Sequence, residues 1–379
     1  MKIEQKKYSR NTGWETLRTS DFKSDECNLV IAFGSSELLS DHRIYETVRN
    51  EYPKADILMN TTSGEIYDIQ VNDETISLTA ICFEKTSVKT AVVRIGNVGS
   101  SYEAGKELAS MLDTHQLKNV LVISDGQQVN GSDLVTGLQE FLPSGTIITG
   151  GLAGDGTRFK TTLVGLNETP AEGRIVAVGF YGDSLSISYG SIGGWDTFGP
   201  ERLITRSKAN VLYELDDKPA LDIYRKYLGE SANELPGSGL LFPLSIRMPG
   251  SSQSVVRTIL AIDEDEKSVT FAGNMPEGTY AQLMKANMDR LIEGASDAAQ
   301  NSIRNVLKKP DLAILISCVG RKLVLDQRIE EEVEVIRAIY GNDTAISGFY
   351  SYGEISPSFN FMKCELHNQT MTVTTFTEN

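Results

Sequence analysis

Three turns in this chain set a glycine beside an acid: Ser63-Gly64-Glu65, Gly154-Asp155 and Tyr352-Gly353-Glu354. Each ends a β-reading run, Ile57–Glu65, Ile147–Asp155 and Ala345–Glu354, so each falls at the carboxyl end of a strand. Ligands of α/β sheets sit beyond such ends. Glycine there, with Gly151 just upstream, lets backbone approach a ligand or take a positive φ, and the acid can hold an ammonium or guanidinium. The competing role is to satisfy backbone donors within the turn. At least two of Glu65, Asp155 and Glu354 are expected to line one cleft, with Tyr350 and Tyr352 beside them. Arg321 follows Cys318-Val319-Gly320, past an apolar strand and before a helix, where a guanidinium can grip a carboxylate. With an acidic turn opposite, it would complete an amino-acid clamp. An internal ion pair to Glu354 or Asp326 is the structural alternative.

Other chemistry finds little support. The chain has no G-x-x-x-x-G-K-[ST], H-E-x-x-H, G-x-S-x-G or kinase signature. Gly150–Gly156 (GGLAGDG) follows a strand as a phosphate loop would, but Thr157–Thr162 lacks helical periodicity, so no helix N-terminus meets a pyrophosphate. His42, His115 and His367 are too dispersed for a zinc cluster. A nucleophilic pair of Cys318 or Cys364 with His367 is conceivable, yet Cys364 lies in a β-reading segment where a small buried thiol is the commoner meaning.

The elements that position these residues repeat. Apolar runs Leu29–Phe33, Val120–Ser124 and Leu312–Ser317 each lead into a polar loop and then a helix-period segment. Those segments carry Ile44, Val48 and Tyr52 before Pro53, then Leu134, Leu138 and Phe141 before Pro143, and finally Ile329, Val333, Ile336 and Tyr340 before Gly341. A second strand ends in the Gly-acid turn, and a third follows at Thr75–Phe83, Arg174–Tyr181 and Gln369–Phe376. The unit is βαββ, and its helical crossover requires a parallel pair. Runs without alternation predict strands covered on both faces.

Between the second and third units the pattern changes. Ile204–Leu215 reads as a hairpin or bent strand, and Pro219 opens a short helix closed by Gly229. Strands follow near Leu240–Arg247, Val255–Ile262 and Ser268–Ala272. That ββαβββ order has the economy of a PAS-like sensor module, an analogy of fold alone. An amphipathic helix running through Met284, Met288, Leu291, Ile292, Ala295, Ala299, Ile303 and Val306 leads back to the third unit. The inserted module, with Trp195, Tyr213, Tyr224 and Phe242 in or near it, is expected to hold a partly apolar pocket with Arg257 and Asn274 as polar contributors.

The chain's 379 residues, 40% hydrophobic and 23% charged, describe an ordinary globular protein of more than one core. Lys and Arg number 36 against 51 acids, a net charge of −15 that repels phosphate backbones and anionic lipid, so neither a nucleic acid nor a membrane is an expected partner. Met1–Leu17 lacks the apolar stretch of a secretion signal, and four scattered cysteines read as reduced thiols, which together predict a cytoplasmic protein. The fold expected is α/β, with mixed sheets of βαββ units and an inserted module in the C-terminal half.

Gly150–Gly156, Arg202–Leu228, Cys318–Arg321 (CVGR), Gly348–Ile355 (GFYSYGEI) and His367–Thr370 (HNQT), in this order, resemble the signature stretches of FIST-domain proteins, F-box and intracellular signal transduction. The likeness implies an N-terminal extension over 1–26, a FIST N region over 27–198 and a FIST C region over 199–379. It also implies a sensory module that binds small ligands such as amino acids. Asn60–Glu65 lacks the cysteine often seen in the family's first G-C-S-x-x-G-E turn. No output domain accompanies the module here, so the signal would pass to a separate protein. Some relatives are haem-binding nitric-oxide sensors acting on a histidine kinase, which makes His367 the candidate axial ligand, followed by Tyr350, Tyr352 and Cys318. His367 also reads as a hydrogen-bonded turn residue, and a haem-free sensor is expected. A hydrolase or transferase is the third class.

Overall fold

A computed structural model describes residues 1–247, 249, 254–304, 308–357 and 363–379. It is a mixed α/β structure. In three places a central strand runs parallel to the next one through a helix and antiparallel to a third on its other side. The first set is Leu29–Gly34 with Asp56–Thr61 and Ile76–Cys82, joined through the helix His42–Glu51. The second is Leu117–Ser124 with Ile147–Leu152 and Arg174–Tyr181, through Gly131–Phe141. The third is Leu312–Cys318 with Ala345–Ser351 and Met371–Glu378, through Glu331–Tyr340.

Each set becomes a six-stranded sheet by adding strands at both edges. On one side a preceding strand joins: Lys2–Ser9, Ser87–Arg94 or Leu185–Ile192. The first of these belongs to the hairpin with Gly13–Arg18, so residues 1–18 are part of a sheet rather than an appendage. On the other side the added strand comes from a different set. Val164–Leu166 joins the first sheet, Gly353–Pro357 the second and Glu65–Tyr67 the third. The exchange is cyclic, and it closes the three sheets into a ring.

Their alternating side chains separate two environments. Ile31 and Phe33, Leu121 and Ile123, and Ile314 and Ile316 meet in one central core with Val178, Phe349 and Phe376. Their neighbours Val30 and Ala32, Val120 and Val122, and Ala313 and Leu315 face the helices outside. With a core on each face, these strands carry continuous apolar runs.

The insert departs from its expected layout. Ile204–Leu215 is two antiparallel strands, Arg202–Lys208 and Val211–Leu215, and Val255–Ile262 is broken at Thr258 into Ser254–Arg257 and Ile259–Asp263. With Asp196–Thr197, Lys218–Pro219, Leu244–Arg247, Ser268–Phe271 and Tyr280–Lys285 they form a nine-stranded antiparallel sheet, more strands than the ββαβββ order provides. The helix Ala220–Leu228 packs on it through Leu221 and Tyr224. Met284 lies on the Tyr280–Lys285 strand, where Ala281 and Leu283 alternate inward, so the long helix begins only at Met288 behind an Asn287 cap. Val306 lies outside the described residues. Cys318-Val319-Gly320 is also not a loop: Val319–Leu325 is a short helix.

Gly150 and Gly348 hold matching positions in the second and third parallel pairs, opposite Val122 and Leu315. A Cβ on Gly150 would stand 1.8 Å from the Val122 carbonyl oxygen, and the φ of +147° disfavours any side chain. Gly150→Ala should therefore destabilise the fold by at least about 3 kcal/mol in a denaturant titration. A loss within experimental error would show that the pair can part at no cost.

Candidate functional site

The expected turn residues do come together, where the carboxyl ends of the parallel strands meet. Ser63 N donates to Tyr350 O at 2.8 Å and Tyr350 N to Gly64 O at 2.9 Å. Tyr352 N donates to Leu152 O at 3.1 Å, and Gly154 N to Thr61 O at 3.0 Å. The first turn thus bonds to the third, the third to the second, and the second to the first. Gly154 is required by closeness, since its Cβ would lie 2.3 Å from Ser63 Oγ. Gly151 pairs with Glu354 across the exchanged strand.

The acids serve this junction. Glu65 accepts from Thr62 Oγ1 at 2.5 Å, and from Thr75 N and Oγ1 at 3.1 and 2.7 Å. Glu354 repeats the pattern with Ser351 Oγ at 2.7 Å, and with Thr370 N and Oγ1 at 3.1 and 2.9 Å. Burial pushes Glu65 up to about 7 and Glu354 up to about 8, against these bonds. Asp155 is not their equivalent. It caps the amides of Lys160 and Thr161 and accepts from the Tyr352 hydroxyl, while Asp125 takes the bond from the strand start, Gly173 N, at 2.7 Å. All three expected acids are buried and internally bonded, and none lines the cleft described below. Their shared ligand cleft gives way to a structural role.

Arg321 is corrected too. It is fully buried and pairs with Glu332, Nη2 to Oε2 at 2.7 Å and Nε at 3.1 Å, rather than with Glu354 or Asp326. It also donates to the carbonyls of Gly193 and Leu291. Glu332 accepts in addition from Ser317 Oγ at 3.2 Å and the Tyr350 hydroxyl at 2.5 Å. No ligand carboxylate can reach this guanidinium.

The open space lies elsewhere. A cleft of about 710 Å³ separates the inserted sheet from the ring. Arg257, Asn274 and His367, three of the expected site residues, line it together with Trp195. Tyr213, Tyr224 and Phe242 do not; Tyr224 is buried in the module's own core, and Phe242 packs against it. Arg257 ends the Ser254–Arg257 strand, and its guanidinium passes over Gly273, whose Cβ would meet Nε at 2.8 Å. Nε donates to Asn274 O at 3.2 Å, and Nη1 to Val256 O and Leu366 O at 3.1 and 2.9 Å. Burial lowers its pKa to about 10. The Asn274 amide donates to Asp133 and accepts from Asn130, the cap of the Gly131–Phe141 helix. His367 Nε2 lies 3.0 Å from Ser356 O, and burial lowers the pKa of its ring.

The ring wall holds residues that sequence reading missed: Ser132, Val135 and Thr136 on that helix, and Ile192, Glu365 and Leu366. They look like ordinary helix surface and strand, and only tertiary packing brings them opposite Arg257. The Cys364–His367 pair is set aside as well. Cys364 Sγ donates to Ile148 O at 3.2 Å, and burial raises its thiol far from a reactive thiolate. Phe361 and Met362 of that expected strand lie outside the described residues.

Mixed sheets closed into a ring, with an inserted sheet held over a cleft, define an α/β protein that has a small-molecule-sized opening between its parts. The chain belongs to the FIST family: the FIST N domain matches residues 28–218 and the FIST C domain residues 220–357. FIST domains are signal-transduction sensor domains that bind small ligands, a role that fits a protein without catalysis. No curated protein matches the chain. Among solved structures, a cyanuric acid hydrolase from A. caulinodans aligns with 78% of this chain and 99% of its own, at 10% identity and a TM-score of 0.18, and that likeness carries no argument. Among the described residues no helix is long and apolar enough to cross a membrane, and no cluster of ligating side chains could hold a metal.

The buried pair gives a direct check. Arg321→Met strands Glu332 without its cation and should cost about 3–5 kcal/mol in chemical unfolding. A cost under about 1 kcal/mol would mean that the pair is not the buried bridge described.

Proposed function

We propose that this protein is a cytoplasmic small-ligand sensor that binds amino acids or similar small polar metabolites in the cleft between the inserted module and the ring. Its signal then passes to a separate protein such as a histidine kinase. The observation that carries the reading is the cleft itself. Its volume of about 710 Å³ falls in the range of small-molecule sites, and it joins an apolar wall of Val135, Ile192 and Val255 to a few polar groups. A ligand there touches both bodies at once. In this reading the divisions 1–26, 27–198 and 199–379 are regions of sequence, and the ring that spans them is the frame against which the module moves.

A haem-dependent gas sensor is less well supported, because the candidate axial ligands do not fit a haem in the arrangement they adopt. His367 Nε2 is engaged with a carbonyl, the Tyr350 and Tyr352 hydroxyls donate to Glu332 and Asp155, and Cys318 is buried. Hydrolase or transferase chemistry finds no activated nucleophile in Cys318 or Cys364, whose thiols are buried and raised by that burial.

Thermal unfolding across the twenty amino acids tests the reading. At least one should raise the melting temperature of the wild-type protein, and Thr136→Trp, a large ring on the exposed helix residue that lines the cleft, should abolish that rise. Stabilisation that survives Thr136→Trp unchanged would place the ligand elsewhere.

A further inference from the structure

Arg257 is 7% exposed, and among the described residues it forms no ion pair within 4 Å; Glu365, on the same cleft, acts on it only at longer range. A guanidinium removed from water without a close counter-charge is costly, and three backbone carbonyls compensate for only part of that loss. Those carbonyls occupy Nε and both hydrogens of Nη1. Nη2 makes no hydrogen bond among the described residues and is not one of the sealed-off buried polar atoms, and Arg257 lines the cleft, so this nitrogen reaches its space. Few arrangements leave an arginine with one nitrogen available. The rest of its fork is fixed by the module on one side and by Leu366 of the ring on the other.

We infer that the cleft takes an anionic ligand whose carboxylate accepts from Nη2 of Arg257 alone. This rests on the cleft being the ligand site. The geometry also sets the ligand's class. Forked pairing needs two donor nitrogens side by side, through Nε with Nη2 or Nη1 with Nη2, and here both companions are taken. Carboxylate and phosphate both lose the fork here, and the Glu365 carboxylate on the same cleft opposes a dianion more than a monoanion. A monocarboxylate needs one charged donor. The apolar side chains of the cleft, Val135 and Ile192 from the ring and Val255 from the module, then cover the carbon skeleton. Asn274, on the same cleft, donates one N–H to Asp133 and accepts on one lone pair from Asn130, which fixes the orientation of its amide. Since Arg257 already donates to Leu366 O, an anion on Nη2 would reinforce the contact that joins module to ring.

Titration calorimetry tests this with matched probes: each stabilising amino acid, its primary amide, its deamino carboxylate and inorganic phosphate. The amino acid and the deamino carboxylate should bind, the amide should bind about ten- to a hundredfold more weakly, and phosphate should not bind. Arg257→Gln should lose the acid and keep the residual affinity for the amide. If Arg257→Gln fails to fold, Arg257→Lys, which keeps the charge, should retain the preference for acid over amide. Equal affinities for acid and amide, with both lost in Thr136→Trp, would overturn the anionic contact while leaving the cleft as the ligand site. Phosphate binding more tightly than any carboxylate would overturn the monocarboxylate class. Binding of all probes that ignores both Arg257 and Thr136 would overturn the site itself.

Discussion

None of the three sheets supplies its own last strand. The first takes Val164–Leu166 from the second set, the second takes Gly353–Pro357 from the third, and the third takes Glu65–Tyr67 from the first. Everything else in the ring answers to this cyclic debt of backbone hydrogen bonds. The turns that carry the crossing strands must pass within bonding distance of one another, which is why Gly154 lies against Ser63 and why Ser63, Tyr350, Tyr352 and Gly154 share main-chain bonds. A sheet edge left unpaired in the interior would strand its amides and carbonyls. Glu65 and Glu354 hold the start of each third strand to the crossing strand through a threonine, and Asp125 does the same for Gly173. Buried acids at such a junction act as local struts.

Much of this was legible in the chain. Continuous apolar runs at Leu29, Val120 and Leu312 mark doubly covered strands because both faces do pack against apolar groups. Helix ends are legible at Pro53, Pro143 and Gly341, where the backbone itself forbids or ends the helix. The roles of the Gly-acid turns were not legible. A glycine beside an acid at a strand end has the same local chemistry whether the acid faces a ligand or a distant threonine, ten residues on for Glu65 and sixteen for Glu354. Arg321 misled for a related reason: its partner Glu332 reads as a helix-start acid, and only the packing of that helix on the sheet buries it. Met284 reads as the first residue of the following helix because it fits either period, yet it lies on the Tyr280–Lys285 strand.

Of the expected residues, Arg257, Asn274 and His367 line the cleft; the first two belong to the inserted module, and His367 pairs with Glu354 at the edge of the junction. Asn274 ties the module to the cap of the Gly131–Phe141 helix, Arg257 ties it to Leu366, and the Gln369 amide reaches Leu240 O at 3.0 Å. Polar bonds of this kind are readily rearranged compared with the apolar core of the ring, and they sit along the walls of the opening. A ligand that adds contacts to both walls has a physical means of shifting the module on its frame.

Hydrogen exchange with and without a stabilising amino acid tests this account most directly. The account predicts that protection rises together on the module wall, at residues 254–257 and 274–279, and on the ring wall, at 131–136 and 363–370, while the junction turns at 62–65 and 351–354 stay unchanged. Protection confined to one wall, or centred on the junction turns, would contradict it.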